Sequence, residues 1–285
     1  MSGAAPSESF APSETSFKTV LVDTSLLIEL QKRSRYAEPV RQALAPYAFR
    51  GASSYSRLEF KRAWLQRLAY LYSVCLRPEV QSVNDVVDWL NRTLASHQRQ
   101  LRRLQTCLDM LIRFLDLDAR SISGRAQLAR LRAHCRRSIL EANECLREIV
   151  TAYLRNTRCS RAEEEPKELP DGSLDLTIRK CKSGTTACGL SQFFRKNQGL
   201  FAALADHVDA HPECSEELKT MRQHIRISQA DPTHLCDGAN CARVADAIIA
   251  IDGQEMSTFA ANNDKEWAAI CAVMSKPLLN PCRRV

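Results

Sequence analysis

The sequence predicts an α/β protein with one parallel sheet that is flanked by helices and interrupted by an all-helical insertion. Two observations predict this class. Short apolar strands alternate with helices near both ends of the chain, an order typical of parallel sheets. Long amphipathic patterns fill the middle. With 285 residues, 45% of them hydrophobic and 26% charged, the chain can bury a sizeable core as one large or two ordinary domains.

The first part of the α/β domain is predicted for residues 18–75. Residues 1–17 precede it; they are rich in Ser, Ala, Pro and Glu without periodicity, which is typical of a flexible tail. The β-branched run Thr19–Val22 predicts a strand, and the leucines after Asp23 predict a helix. A second strand is expected near residues 47–53, with another helix directly after it.

Residues 76–230 are predicted to form the helical insertion. Leucines recur at helical spacing in two runs that a short break separates, so we expect an antiparallel helical hairpin over residues 79–158. Residues 159–190 contain an acidic run, two prolines and several glycines, which predict an exposed loop. Helices are expected to return over residues 190–230.

The second part of the α/β domain is predicted for residues 231–285. Its pattern indicates a helix over 241–251, a strand over 257–262, a helix over 265–274 and a last strand over 277–279. Because these strands are expected to join those of the first part, residues far apart along the chain should meet at one edge of the sheet.

The positive charge is concentrated in the middle of the chain. Between His97 and Arg137 there are ten arginines, no lysine and three aspartates, so this segment carries the whole net charge of +7. Polyanions are the natural ligands of such a surface. Three uses remain open: binding RNA phosphates, docking an acidic protein or a second copy of the chain, and internal pairing with acids. The candidate nucleic-acid-binding residues are Arg99, Arg102, Arg103, Arg130, Arg132, Arg136 and Arg137.

Membrane and secreted classes are not expected. The sequence has no run of eighteen apolar residues, and it begins with small polar residues rather than a charged and then apolar leader. Several of the twelve cysteines fall inside helical patterns of this long chain, which favours free thiols in a reducing compartment. We therefore predict a cytoplasmic protein without a membrane partner.

Zinc binding is the alternative use of the cysteines. The nearest approaches to zinc-ligand spacing are Cys181-x6-Cys188, Cys236-x4-Cys241 and His207-x3-His211-x2-Cys214. None has the two-residue spacing of a typical zinc knuckle. Buried thiols are the default expectation, and a structural zinc ion is the alternative.

Four carboxylates fall at informative places. Asp23 follows the first strand, Glu59 lies inside the helix after the second, Asp246 interrupts an apolar run, and Asp264 follows the strand over 257–262. In open parallel sheets the carboxyl ends of the strands form the ligand crevice. A charged side chain within an apolar run is costly unless it is paired or metal-bound.

At these positions the sequence resembles the PIN-domain nucleases, which include VapC-type toxin ribonucleases. The matching segments are VLVDTS from Val20, SYSRLE from Ser54, DAIIA from Asp246 and NNDKEW from Asn262. The resemblance covers about residues 18–70 and 235–280. It implies a PIN-like sheet, and hydrolysis of RNA that leaves a 5′-phosphate and a 3′-hydroxyl.

The resemblance also implies a metal centre. It maps the family's metal-binding and catalytic carboxylates onto Asp23, Glu59, Asp246 and Asp264. Mg²⁺ or Mn²⁺ would suit such oxygen ligands, and a bound ion would offset the repulsion among them. Where relatives often carry Thr or Ser and a further Asp, this chain has Asn262 and Glu266. These two residues and Ser25 are second-rank candidates.

Each acid also has a structural interpretation. Asp23 can cap the helix that follows it, and Glu59 completes a capping box with Ser56. Asp246 can pair with a nearby arginine, and Asp264 can belong to a turn.

The prediction for function is a metal-dependent endoribonuclease. Its predicted partners are RNA and, in the second use of the basic surface, an acidic protein such as an antitoxin. The alternative is a catalytically inactive PIN-like module that binds RNA or a protein through the basic hairpin.

Overall fold

The main sheet of the protein has five parallel strands. The computed structural model describes residues 18–32, 34–96, 101–118, 123–164, 166–172, 174–175, 188–262 and 264–282. Its strands are β1 (Thr19–Val22), β2 (Phe49–Ser53), β3 (Ala152–Leu154), β4 (Lys167–Glu168), β5 (Leu174–Asp175), β6 (Thr258–Ala260) and β7 (Leu278–Leu279). The main sheet has the order β3-β2-β1-β6-β7, and β4 and β5 form a separate antiparallel ribbon.

Helices make up most of the remaining described structure. They are α1 (Thr24–Gln31), α2 (Ala37–Leu44), α3 (Ser54–Phe60), α4 (Gln66–Cys75), α5 (Val83–Ser96), α6 (Leu101–Asp118), α7 (Gly124–Leu140), α8 (Ala142–Ile149), α9 (Gly189–Lys196), α10 (Gln198–Ala210), α11 (Glu216–Ala230), α12 (Gly238–Arg243), α13 (Ala245–Asp252) and α14 (Asp264–Met274). A π-helical turn, Lys61–Leu65, joins α3 to α4, and two 3₁₀ turns cover Ser160–Glu163 and Pro232–Cys236. None of these described helices has the length and apolarity that a membrane span needs.

Strand β1 lies at the centre of the sheet and is buried on both faces. Leu21 is in register with Gly51 of β2 and with Phe259 of β6. Successive side chains of a strand point to opposite faces. Accordingly, Val20 and Val22 belong to one hydrophobic cluster and Leu21 to the other. The continuous apolar run of β1 therefore reflects a sheet that is covered on both sides.

The two faces are covered by different parts of the chain. Residues of α1, α2 and α4 to α8 pack in the cluster of Val20 and Val22. Residues of α9 to α14, together with Tyr55 and Leu58 of α3, pack in the cluster of Leu21. The middle of the chain thus contributes to both layers of the core. The prediction of an α/β protein with one parallel sheet flanked by helices is confirmed.

The expectation of an all-helical stretch over residues 79–158 is wrong at β3. Helix α8 ends at Ile149, Val150 is extended (φ −101°, ψ 119°), and Ala152–Leu154 pairs in parallel with β2. A strand of three residues carries too little alternation to be separated from the leucine pattern before it.

The predicted hairpin arms, α6 and α7, belong to a larger helical layer. The rings of Phe114 in α6 and His134 in α7 are in contact, with centroids 5.4 Å apart. Helix α7 packs mainly against α4, and α6 packs against both α4 and α5. The leucine seams, with Leu104 and Leu131 fully buried, therefore face a shared four-helix core rather than only each other.

Several predicted boundaries shift in the structure. The helix expected over 241–251 is divided into α12 and α13 at Val244, and the helices expected over 190–230 begin with two separate ones, α9 and α10. The described part of the expected loop holds the β4-β5 ribbon and a 3₁₀ turn. Residues 176–187 and the predicted tail 1–17 lie outside the described residues.

Candidate metal centre

Asp23 directly follows β1, at the carboxyl end of the central strand. Its backbone N–H donates to the Ala260 carbonyl at 2.9 Å, which extends the pairing with β6 to this residue. Oδ2 accepts hydrogen bonds from the Ser25 N–H at 2.9 Å and the Ser25 hydroxyl at 2.6 Å. Oδ1 is buried and has no hydrogen-bond partner in the described structure. Helix capping therefore accounts for only one of the two carboxylate oxygens.

Glu59 lies inside α3 and reaches back to the start of α1. The N-cap of α3 is Ser53, whose hydroxyl accepts from the Tyr55 N–H at 3.0 Å. Ser56 is already inside the helix, so the capping-box interpretation of Glu59 is wrong. Instead, Glu59 Oε2 accepts from the Thr24 hydroxyl at 2.9 Å. This bond holds the carboxylate beside the end of β1.

Asp246 lies in the first turn of α13, next to the buried Ala245 and Ala247. The alternative partner suggested by the sequence is Arg243, three residues earlier. No salt bridge joins the two side chains, both of which the structure describes. Burial raises the pKa of Asp246 to about 7, and the charges of Asp23 and Glu266 act in the same direction.

Asp23, Glu59 and Asp246 form one cluster, which we call the acidic triad. Each offers a carboxylate oxygen, and these oxygens all lie within 4.8 Å of one another. Burial raises the pKa of Glu59 to about 8, reinforced by the charges of Asp246 and Asp23. Burial also raises the pKa of Asp23, against the lowering effect of its hydrogen bonds from Ser25. Proximity and burial thus both disfavour three negative charges here.

Protein cations do little to offset this repulsion. The charge of Arg62 lowers the pKa of Glu59, but burial and the two neighbouring acids outweigh it. Among the residues that the structure describes, no salt bridge includes a member of the acidic triad. The triad is therefore a concentration of negative charge that lacks a contacting positive partner.

Two of the second-rank candidates surround Asp23. While the Ser25 hydroxyl donates to Asp23, its oxygen accepts from the Asn262 backbone N–H at 3.2 Å. Asn262 is thereby fixed beside the triad through its backbone. Asp264 is the first residue of α14, but its side chain lies outside the described residues. The structure therefore brings together three of the four first-rank acids.

Glu266 approaches the triad from the side of α14. It is buried, and its Oε1 accepts from the Ser215 hydroxyl at 2.8 Å. Its charge raises the pKa of Asp246, and both side chains line the same cavity. The sequence analysis identified Glu266 as a candidate site residue but missed Ser215. The sequence indicated Ser215 only as the residue that begins α11. Thr24 was also missed; its signal is a hydroxyl residue directly after Asp23.

The triad opens onto a cavity of about 300 Å³. Glu59, Asp246 and Glu266 line one side of it. Helices α11 and α12 form the other side and contribute Glu216, Glu217, Thr220 and Arg243. The acids are therefore accessible to a small ligand or to one segment of a larger one, although Asp23 itself is buried.

The donor set fits a hard divalent cation. Carboxylate oxygens are the ligands that Mg²⁺ and Mn²⁺ prefer in proteins. The unpartnered Asp23 Oδ1 is an acceptor that water does not reach, whereas a small ion between the three carboxylates can be bound by it. These three acids can hold a metal ion.

Two of the candidate arginines bond to other parts of the protein. Arg132 Nε donates to the Cys75 carbonyl, at the end of α4, at 2.8 Å. Arg136 forms a two-point contact with Glu168 of β4, at 3.1 Å from Nε and 2.6 Å from Nη2. These contacts correspond to internal pairing, the third use that the sequence left open.

The remaining candidate arginines are exposed, or their side chains lie outside the described residues. Arg137 Nε is 3.9 Å from Glu141 Oε1, a long contact between exposed groups. Arg130 is exposed on α7. Arg99 and the side chains of Arg102 and Arg103 lie outside the described residues.

The expected alternative of a zinc site finds no support in the described residues. No disulfide joins any of the ten cysteines whose side chains the structure describes, and within the described residues the acidic triad is the only group of three metal-ligating side chains. Cys241, for example, contacts the Tyr55 hydroxyl at 3.1 Å. Cys181 lies outside the described residues.

Comparison with known proteins does not assign this chain to a family. No family model, curated protein or solved structure matches this chain. Any proposal for function therefore depends on the chemistry of the site and on the short segments that resemble PIN-domain nucleases.

Proposed function

We propose that the protein is a metal-dependent endoribonuclease whose acidic triad holds Mg²⁺ or Mn²⁺. One observation carries the proposal: Asp23 keeps a buried carboxylate oxygen without a partner, in a cluster where Glu59 and Asp246 add further negative charge. A protein that used these acids only for structure would be expected to pair them with hydrogen-bond donors or cations.

The residues of the chain prepare this site in three ways. Ser25 orients Asp23 through two hydrogen bonds, and Thr24 orients Glu59. Asp246 and Glu266 face the cavity, where a phosphodiester can approach. A bound divalent ion would supply Lewis-acid stabilisation of the charge that develops in phosphodiester hydrolysis and would favour ionisation of water.

RNA as the substrate follows from the resemblance to PIN-domain nucleases. The resemblance is supported by the arrangement of the acids, which converge at the carboxyl end of a central parallel strand, where such a sheet binds ligands. A cavity of about 300 Å³ admits a nucleotide segment rather than a duplex, and this favours single-stranded RNA.

The test is cleavage of labelled single-stranded RNA by the purified chain with Mn²⁺ or with EDTA. We expect cleavage in Mn²⁺ that EDTA abolishes and that Asp23→Asn and Asp246→Asn each reduce at least about a hundredfold. Asp88→Asn is the matched control, because Asp88 is exposed on α5. Cleavage that survives both site substitutions would refute the proposal. RNA binding without cleavage by the wild-type protein would favour the inactive binding module.

A further inference from the structure

A second cavity lies within the helical layer, between α1, the π-helical turn, α4, α6 and α7. Its volume is about 250 Å³. The floor is apolar and is formed by Trp64, Leu68, Leu71, Met110, Phe114 and Leu131. These floor side chains are largely buried, so the cavity exposes only part of each. We call this space the helical-layer cavity; it shares no lining residue with the cavity of the acidic triad.

The rim of the helical-layer cavity is positively charged. Lys32, Arg113 and Arg137 lie on it, and Glu141 is the one carboxylate among the lining residues. Lys32 comes from the end of α1, Arg113 from α6 and Arg137 from α7, so three separate elements bring cations to one opening. Such convergence gives the rim a formal charge of +2, three cations less one acid.

The cations on this rim are weakly engaged. Lys32 Nζ is 3.5 Å from Glu29 Oε1, and Arg113 Nη1 donates to the Lys32 carbonyl at 3.3 Å. Arg137 Nε is 3.9 Å from Glu141 Oε1. Lysine has three donors and arginine five. Each cation therefore keeps donors for an acceptor that enters the cavity.

The floor offers flat apolar surfaces directly below these charges. Lys32 Nζ lies 5.7 Å from the centroid of the Trp64 ring. Phe114 and His134 also line the cavity, with their ring centroids 5.4 Å apart. The Trp64 indole N–H is buried without a hydrogen-bond partner in the described structure. Binding sites for small molecules combine an apolar lining with a few convergent polar groups in this way.

We propose that the helical-layer cavity binds a small organic anion with a flat apolar body. The anionic group would contact Arg137, Arg113 and Lys32, and the body would lie against Trp64 and Phe114. The volume suits one or two fused rings and excludes a helix. This site is independent of the nuclease proposal, and it gives part of the arginine-rich segment a ligand other than RNA.

The test uses two dyes that share a ring system and differ in charge. The probe is 8-anilinonaphthalene-1-sulfonate, and its uncharged counterpart is N-phenyl-1-naphthylamine. Fluorescence titration should give one saturable site per chain, with the sulfonate bound about tenfold more tightly than the uncharged dye, because its hydrogen bonds to cations add to the apolar contact. Arg137→Gln should weaken sulfonate binding about tenfold, and Glu141→Gln should strengthen it severalfold.

Arg130→Gln is the matched control, because Arg130 is exposed on the same helix and does not line the cavity. It should leave sulfonate binding within about twofold of wild type. Lys32→Gln provides a second rim variant from a different element, and unchanged far-UV dichroism checks that each variant folds. The proposal is overturned if the sulfonate does not bind, if both dyes bind equally well, or if Arg137→Gln and Arg130→Gln have the same effect.

Discussion

The acidic triad and the arginine-rich helices both concentrate charge, but they handle it in opposite ways. Asp23 has a buried oxygen without a partner, and its neighbours Glu59 and Asp246 share its sign. On the helices, Arg132 donates to a backbone carbonyl and Arg136 pairs with Glu168. Within the described residues the acids therefore lack a contacting cation, whereas these arginines have partners inside the chain. A high density of charge in a sequence does not by itself identify a ligand. The contacts that each charged side chain makes in the folded protein are also needed.

The largest expected effect is on the stability of the metal-free protein. Its free energy of unfolding should depend on pH because the acidic triad titrates. Since the pKa is about 8 for Glu59 and about 7 for Asp246 in the folded state, the folded protein binds more protons than the unfolded chain between pH 5 and 8. The free energy of unfolding should thus fall by about 6 kcal/mol as pH rises over that range. Urea unfolding in EDTA measures this fall.

Mn²⁺ should reverse the loss at pH 8 and have little effect at pH 5, because it competes with protons for the same oxygens. Asp246→Asn removes one titrating charge, so its stability should depend less on pH and on Mn²⁺ than that of wild type. Equal pH profiles for the two proteins would show that the triad carries no such repulsion.

A smaller effect is expected from the internal arginine. Arg132→Met keeps the apolar stem but removes the donor that satisfies the Cys75 carbonyl. We expect a loss of about 1 kcal/mol in the free energy of unfolding, measured by urea titration. The exposed Arg130→Met on the same helix is the control and should leave stability unchanged. Equal stability of the two variants would contradict an internal role for Arg132.

The smallest expected effect concerns RNA affinity. Arg130 is exposed, whereas Arg136 already contacts Glu168. If α7 contributes to RNA binding, Arg130→Gln should reduce the salt dependence of log K by about one unit of slope. Arg136→Gln should change it less. Filter binding at several salt concentrations distinguishes the two, and the opposite ranking would mean that the ion pair opens to receive phosphate.

The sequence was sufficient to predict the parts of the site that follow local rules. Asp23 lies where a strand ends, and Asp246 is a charge inside an apolar helix, so each was visible from its neighbours alone. The contact between Ser215 and Glu266 was not, because 51 residues separate them and only the packing of α11 against the α/β domain brings them together.

The helical layer was harder to predict for the same reason. Two leucine seams indicate that α6 and α7 bury one face each, but not which helix covers it. For α7 the partner is mainly α4, which belongs to the first part of the chain, whereas α6 packs against both α4 and α5. Likewise, β3 is defined by its pairing with β2 rather than by its own three residues.

The π-helical turn Lys61–Leu65 follows Glu59 and contains Trp64, so it affects how the two cavities are oriented relative to each other. Its hydrogen bonds span five residues rather than four, so it accommodates one more residue per turn than an α-helix. Glu59 before it accepts a hydrogen bond from Thr24 at the start of α1, while Trp64 within it packs in the cluster of the helical layer. In a regular α-helix, Trp64 would lie about 140° around the axis from Glu59, five residues earlier, and the wider π turn makes that angle smaller. The extra residue therefore sets the angular relation between the two sites.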